Sequence, residues 1–272
     1  MLPNSQPVDK FAGRKLVREI QLPSRGLLYN DAIRQTNGKI RVAALTTLEE
    51  KIFSGSGNTP ESKLDMVFDR CVDCGDFPPR DMILGDRMFC LMHIRSLSYG
   101  DKYSFPFSCV RCGQQATQEL DLLKDIPLTV ADENFREPYE VTLPVSGSVV
   151  GLKYFRGSDE SKVASYTEKN SRQGRIDLTL GDISYVYRLA RHIVTVDGKQ
   201  LPFEADTLKF VERLEGPDSI EFRSAVESHF IGFAMTVAIA CKFCGFVHDD
   251  VGVPMTGEFF RPKPTRHLPK HP

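Results

Sequence analysis

A chain of 272 residues is long enough to bury one large core or two smaller ones. Its 41% hydrophobic and 26% charged residues are ordinary globular values. Thirty-five basic residues against thirty-six acidic ones leave a formal charge of −1, so no global field draws the chain to nucleic acid or anionic lipid.

No stretch supplies the ~18 consecutive apolar residues of a membrane span. The longest, Phe230 to Cys241, is too short and reads as a buried helix. Met1 to Lys15 contains Pro3, Pro7 and Asp9 and lacks the apolar centre of an export signal. The seven cysteines are therefore expected in a reducing cytosol, where Cys-x-x-Cys pairs point to metal or redox chemistry before disulfides.

Residues 1–15 read as a flexible arm. Leu16 to Leu22 alternate apolar and polar as a half-buried strand does. Pro23-Ser24-Arg25-Gly26 breaks that strand in a turn that calls for positive φ at Gly26. A second strand covers Lys39 to Leu45, and Thr46 with Glu49, or Thr47 with Glu50, forms a capping box for a short helix through Phe53. After a loop from Gly55 to Pro60, Leu64, Val67, Phe68 and Cys71 mark one face of a helix. Pro78-Pro79 resets the chain, and Asp81 to Ser98 forms a longer helix that Tyr99-Gly100 stops.

Tyr103, Phe105 and Phe107 alternate with polar residues or proline in a strand that runs into Cys109; Gln114 to Leu120 returns as its hairpin partner. Strands follow at Tyr139 to Leu143 and Val149 to Phe155, then a helix at Ser158 to Asn170. Leu178 to Val196 is helical in pattern and closes at Asp197-Gly198; Asp206 to Leu214 and Ser219 to Ala240 are further helices, the last delivering Cys241. The tail, residues 261–272, is rich in proline and basic residues and is expected to be disordered or draped on a partner. The expected fold class is α+β, with a small β-rich N-terminal part, helices and a zinc-ribbon-like knuckle pair closed by distant Cys-x-x-Cys motifs. One domain spans residues 16–260, with an insertion of about residues 121–218 between the knuckles.

A structural zinc site needs four ligands in a tetrahedron, and Cys-x-x-Cys supplies two from one turn. Three such pairs are present, and each carries a glycine after its second cysteine: Gly75, Gly113 and Gly245. Cys71 continues a core-facing helical stripe, where a free cysteine behaves as a small hydrophobe. Cys109 and Cys112 occupy a hairpin tip; Cys241 and Cys244 precede the extended segment Phe246 to Val253. These four are the expected ligands of one structural Zn2+. Their pairs lie more than a hundred residues apart, against the usual ~15–20, so pairing Cys71 and Cys74 with Cys109 and Cys112 is the alternative. A thioredoxin-like role fits poorly, because no helix begins at the motif.

Cys90, between Phe89 and Leu91, reads as a core residue. His93 with Asp86 could be imagined as a dyad, but a structural histidine is the simpler reading; His192 and His229 are read the same way. His248, four residues after Cys244, is a substitute ligand at most. Ser24 sits in no Gly-x-Ser-x-Gly elbow and no phosphate loop is present, so no catalytic residue is assigned.

Three segments together carry a family likeness: Leu22-Pro23-Ser24-Arg25-Gly26-Leu27-Leu28-Tyr29; Leu84-Gly85-Asp86-Arg87 running through Ile94-Arg95-Ser96-Leu97-Ser98-Tyr99-Gly100; and a strand into Cys109-Val110-Arg111-Cys112-Gly113. With Cys241-Lys242-Phe243-Cys244-Gly245 and Phe259-Phe260-Arg261-Pro262, they resemble the T4-like phage baseplate hub and hub-assembly proteins. The resemblance implies a non-enzymatic assembly or virion component made in the host bacterial cytoplasm. Its implied partners are other tail baseplate hub proteins and the tape-measure protein, and its implied place is the tail baseplate. It also implies that Cys71 is not a ligand, whereas Cys74 departs from the pattern. The competing expectation is a zinc-ribbon nucleic-acid-binding regulator, which the few basic residues near the knuckles disfavour.

Overall fold

The computed structural model describes residues 9–55, 59–172 and 182–262. The chain is α+β, and its buried apolar residues form two main clusters.

The first cluster gathers the N-terminal third, the cysteine-bearing hairpins and the C-terminal turn. Strands β1 (Val17–Gln21), β2 (Lys39–Ala43) and β3 (Val72–Asp73) make an antiparallel sheet in the order β1-β2-β3. Between β1 and β2 lies the turn at Pro23 to Gly26, followed by the short helix α1 (Asp31–Gln35). Gly26 has φ +70°, as its sequence context calls for, and a Cβ there would come within 2.8 Å of the Ile33 side chain. Helix α2 (Thr47–Ser54) opens on the expected capping box: Leu48 N–H donates to Thr46 Oγ1 and Thr46 N–H to Glu49 Oε2. Helix α3 (Pro60–Cys71) presents Val67, Phe68 and Cys71 inward, the stripe its spacing predicts.

Helix α4 (Leu84–Tyr99) is the central element, with Cys90, Met92 and Ile94 fully enclosed. It leads into the hairpin β4 (Lys102–Ser108) and β5 (Gln115–Asp121), paired in register from Lys102↔Asp121 to Ser108↔Gln115. Strand β6 (Leu128–Thr129) then leaves for the second cluster.

That cluster is built on the sheet β7 (Tyr139–Thr142), β8 (Val149–Leu152) and β9 (Ile193–Val196), with helices α5 (Gly157–Arg172), α6 (Ile183–Ala190), α7 (Glu204–Glu212) and α8 (Gly216–Ser228) around it. It falls largely within the segment read as an insertion between the knuckles. The chain returns through β10 (Gly232–Phe233), which pairs with β6, then the hairpin β11 (Thr236–Ala240) and β12 (Val247–Gly252), and α9 (Gly257–Phe260).

Three expectations are corrected. The helix expected over Ser219 to Ala240 ends at Ser228, and a strand, not a helix, delivers Cys241. Val237 and Ile239 are buried while Thr236, Ala238 and Ala240 face out, a period of two that the flanking alanines disguise. Within Leu178 to Val196 only Ile183–Ala190 is helical; Ile193–Val196 is a strand, as its β-branched run favours, and residues 178–181 lie outside the described residues. The arm is not loose from Asp9 onward. Phe11 is buried, Lys10 Nζ donates to the Val72 carbonyl at 2.6 Å and Arg14 pairs with Glu49 at 2.9 Å. Residues 1–8 of the arm, and residues 263–272 of the tail, lie outside the described residues.

The two clusters meet at the first turn of α4. Gly85 packs against the backbone of Ile231 and Gly232 so closely that a Cβ would fall 1.5 Å from the Ile231 carbonyl oxygen. Leu84 N–H donates to the Phe155 carbonyl at 2.8 Å. Arg87 reaches the Pro79 carbonyl and Asp65 and lies over the Phe68 ring. This turn therefore carries the N-terminal part, the insertion and the returning chain, and the packing it fixes lets two hairpins far apart in sequence stand together.

Candidate metal centre

Each hairpin ends in a Cys-x-x-Cys-Gly turn, and the two turns share one backbone arrangement. Gly113 N–H donates to the Cys109 carbonyl and Gly245 N–H to the Cys241 carbonyl, both at 2.9 Å. The first cysteine of each pair donates its own N–H across the hairpin, Cys109 to Gln114 at 3.0 Å and Cys241 to Phe246 at 2.8 Å. Both glycines have φ +70°, the left-handed conformation that closes such a turn without strain. Two copies of one local structure thus face each other.

Between them lie the sulfurs of Cys109, Cys112, Cys241 and Cys244, all within 4.8 Å of one another. The Cys109–Cys244 and Cys112–Cys241 separations are 3.7 and 3.8 Å. A tetrahedron with Zn–S bonds of ~2.3 Å has edges of ~3.8 Å. These four are the residues singled out in the sequence, and the structure brings them together. Cys109 and Cys241 are buried, whereas Cys112 and Cys244 are exposed to solvent.

The local fields favour thiolate unevenly. Backbone N–H groups of Cys244 and Phe243 hold the Cys241 thiol down at about 6. At Cys112 the Gln114 N–H also favours the thiolate, but burial and the three neighbouring thiols together push it up to about 12. Four adjacent thiols cannot all lose their protons unless a cation enters among them.

The other cysteines are elsewhere. Cys71 and Cys74 belong to the first core, where burial pushes both thiols up to about 11; Cys74 donates to the Phe77 carbonyl and Arg14 lies 3.6 Å from Cys71 Sγ. The alternative pairing of Cys71 and Cys74 with Cys109 and Cys112 is therefore not the one this fold makes. Cys90 is fully buried in α4.

His248 is outside the sulfur tetrad but touches it: its Nε2 lies 3.4 Å from Cys109 Sγ, with the Phe107 and Phe246 rings edge-on at 4.9 and 4.8 Å. Among the described residues, the other histidines, His93, His192 and His229, serve local packing. Arg18 Nη1 approaches His93 Nδ1 at 3.3 Å, and burial followed by the Arg18 charge pulls that imidazole down to about 4. His192 contacts the Lys153 carbonyl, and His229 stacks on Tyr139.

Asp86 forms no dyad with His93. It is fully buried and accepts from Ser24 N–H at 3.0 Å, from Tyr29 Oη at 2.6 Å and from Ser24 Oγ in a short contact. Tyr29 Oη in turn accepts from Ile83 N–H at 3.0 Å. Burial pushes the Asp86 carboxyl up to about 6 against the pull of these donors. Two of the sequence segments set apart earlier, Leu22 to Tyr29 and Leu84 to Arg87, thus meet through one carboxylate. Nothing in the spacing identified Ser24 and Tyr29 as its partners.

Fold and site together define an α+β protein whose distant halves converge on a four-thiol cluster. The family described as T4 bacteriophage base plate protein matches the chain over residues 17–261, and the chain belongs to that family. No curated protein and no solved structure matches it. The matched range takes in both knuckles and the junction at α4.

Proposed function

We propose that this chain is a non-enzymatic structural or assembly protein of the tail baseplate hub, with one structural zinc ion held by Cys109, Cys112, Cys241 and Cys244. Family membership supports a structural baseplate role. The observation that carries the zinc reading is the pair of sulfur–sulfur separations, 3.7 and 3.8 Å, which match the tetrahedral edge zinc requires. A divalent cation supplies the positive charge that the clustered thiols need in order to ionise together. It would fix the two hairpins as a zinc ribbon and close a loop of more than a hundred residues, so its binding free energy becomes folding free energy.

The partners that fit this reading are other hub proteins and the tape-measure protein, met in the host bacterial cytoplasm during assembly. No described helix is long and apolar enough to cross a membrane. The purified protein should carry about one zinc per chain, since four thiolates fill one tetrahedral shell. Cys244→Ser should release the metal, and Cys71→Ser should retain it. Zinc retained by the Cys244 variant overturns the site. Pull-down of purified hub and tape-measure proteins tests the hub assignment, and capture of neither overturns that part alone.

A further inference from the structure

We propose that the tip formed by the two Cys-x-x-Cys turns is a docking surface for an acidic protein surface bearing an apolar pocket, on another baseplate component. This rests on the baseplate reading above.

The tip is unusual in what it exposes. Val110 is 83% and Phe243 61% exposed, both inside the turns, with Phe246 and Val247 partly exposed beside them. The hydrogen bonds from Gly113 and Gly245 to the Cys109 and Cys241 carbonyls hold the backbone beneath these side chains. Docking them on a partner therefore forfeits little backbone entropy. A cluster of exposed apolar groups flanked by cations has the composition of an interface centre, in which an aromatic anchor fills a pocket and arginine flanks it.

Charge decides the chemistry of the partner. The turns and the strand ends next to them, residues 109–118 and 241–248, contain Arg111, Lys242 and His248 and no carboxylate; Glu119, Asp249 and Asp250 follow immediately along β5 and β12. Arg111 lies over the Phe246 ring at 5.6 Å, and Lys242 Nζ reaches the Thr117 carbonyl at 3.1 Å, so both cations are held at the tip. An acidic rim around an apolar pocket complements this arrangement. Nucleic acid fits less well: two fixed cations release few counterions, and Val110 offers no face on which a base can stack.

The test measures binding of the full-length, zinc-loaded chain to each of the phage's other baseplate proteins, purified singly. The expected result is one partner whose Kd rises roughly tenfold or more with Phe243→Ser or Val110→Ser. Arg111→Glu and Lys242→Glu should weaken binding and flatten its salt dependence. Ile220→Ser, at an exposed position on α8, should leave it unchanged. Zinc content and melting temperature confirm that each tip variant is folded. Binding that ignores the tip variants overturns the inference and leaves the baseplate reading standing. Binding of no baseplate protein overturns that reading and the inference with it. Tip-dependent binding of duplex or single-stranded DNA, or tip-dependent self-association of the chain alone, assigns the surface to a different occupant and overturns the proposal.

Discussion

Two places in the molecule join chain segments far apart in sequence, and they do so by different chemistry. At the knuckles, Cys109 and Cys244 meet across 135 residues sulfur to sulfur, beside the Lys242–Thr117 hydrogen bond and the His248–Phe107 ring contact. At the head of α4, Ser24 and Asp86 meet across 62 residues through a buried carboxylate and its three donors. The junction is complete in itself, since each donor has its acceptor within the fold. The knuckle cluster is four weak donors facing one another, and on the proposed zinc reading a cation among them supplies most of its cohesion. One joint is therefore intrinsic and the other conditional.

The largest effect should come from removing the condition. Chelation of the zinc-loaded protein is expected to open the hairpins β4–β5 and β11–β12, with loss of the part of the folding free energy that metal binding supplies. Hydrogen exchange should rise across residues 102–121 and 236–252 while the α4 core stays protected. An unchanged melting temperature under chelation would mean that packing of Tyr103, Phe105, Val237 and Ile239 holds the hairpins without metal.

Next is the intrinsic joint. Asp86→Ala leaves the Ser24 and Tyr29 donors without their acceptor in a dry site and should destabilise the fold by about 3 kcal/mol. Its pH dependence is distinctive. The folded carboxyl titrates near 6, against 3.8 for an unperturbed aspartate. The fold therefore binds the proton more tightly than the unfolded chain does. Asp86 contributes most stability below about 3.8, and that contribution is lost as pH rises through about 6. Denaturant titrations from pH 4 to 7 should show this slope in the parent chain, and Asp86→Asn should flatten it. An equal slope in both chains would assign the effect to other groups.

A smaller effect is expected where backbone conformation alone supports the junction. Gly26 has φ +70° in the turn that presents Ser24 to Asp86. Gly26→Val should cost about 1–3 kcal/mol, read as a lower denaturation midpoint with m unchanged. An unaltered midpoint would show that the turn tolerates a side chain despite the 2.8 Å approach to Ile33.

The knuckles were legible because Cys-x-x-Cys-Gly encodes a complete local structure, and the capping box at Thr46 for the same reason. The pairing of the two knuckles was legible only in part. Cys71 could be set aside because it continues the stripe of Leu64, Val67 and Phe68, but the distance to Cys241 had no local signal. Thr236 to Ala240 departs from the expected helix because alanine suits either period; burial on one face of a hairpin, a tertiary fact, decides it. Phe11 shows the same limit, since a lone aromatic in a polar arm is buried only once the Arg14 and Arg41 guanidiniums come over its ring. The carboxylate junction was visible as two unusual segments and invisible as a contact, because hydrogen bonding between them follows no sequence period.

The smallest expected effect returns to the conditional joint and asks how far its cohesion reaches beyond the sulfurs. His248 Nε2 can donate to Cys109 Sγ at 3.4 Å, and a donor there would offset part of the negative charge that four thiolates bring to the proposed zinc. His248→Phe removes the donor while keeping a ring between Phe107 and Phe246. Zinc transfer to a chromophoric chelator should then be about tenfold faster, with stoichiometry still near one. The melting temperature of the loaded protein should change little, because the ring packing is retained. Faster release with intact stoichiometry would place His248 as a positioning residue for the cluster. Unchanged release would limit the joint to its four sulfurs and the backbone N–H groups of the turns, and loss of metal altogether would instead make His248 part of the site itself.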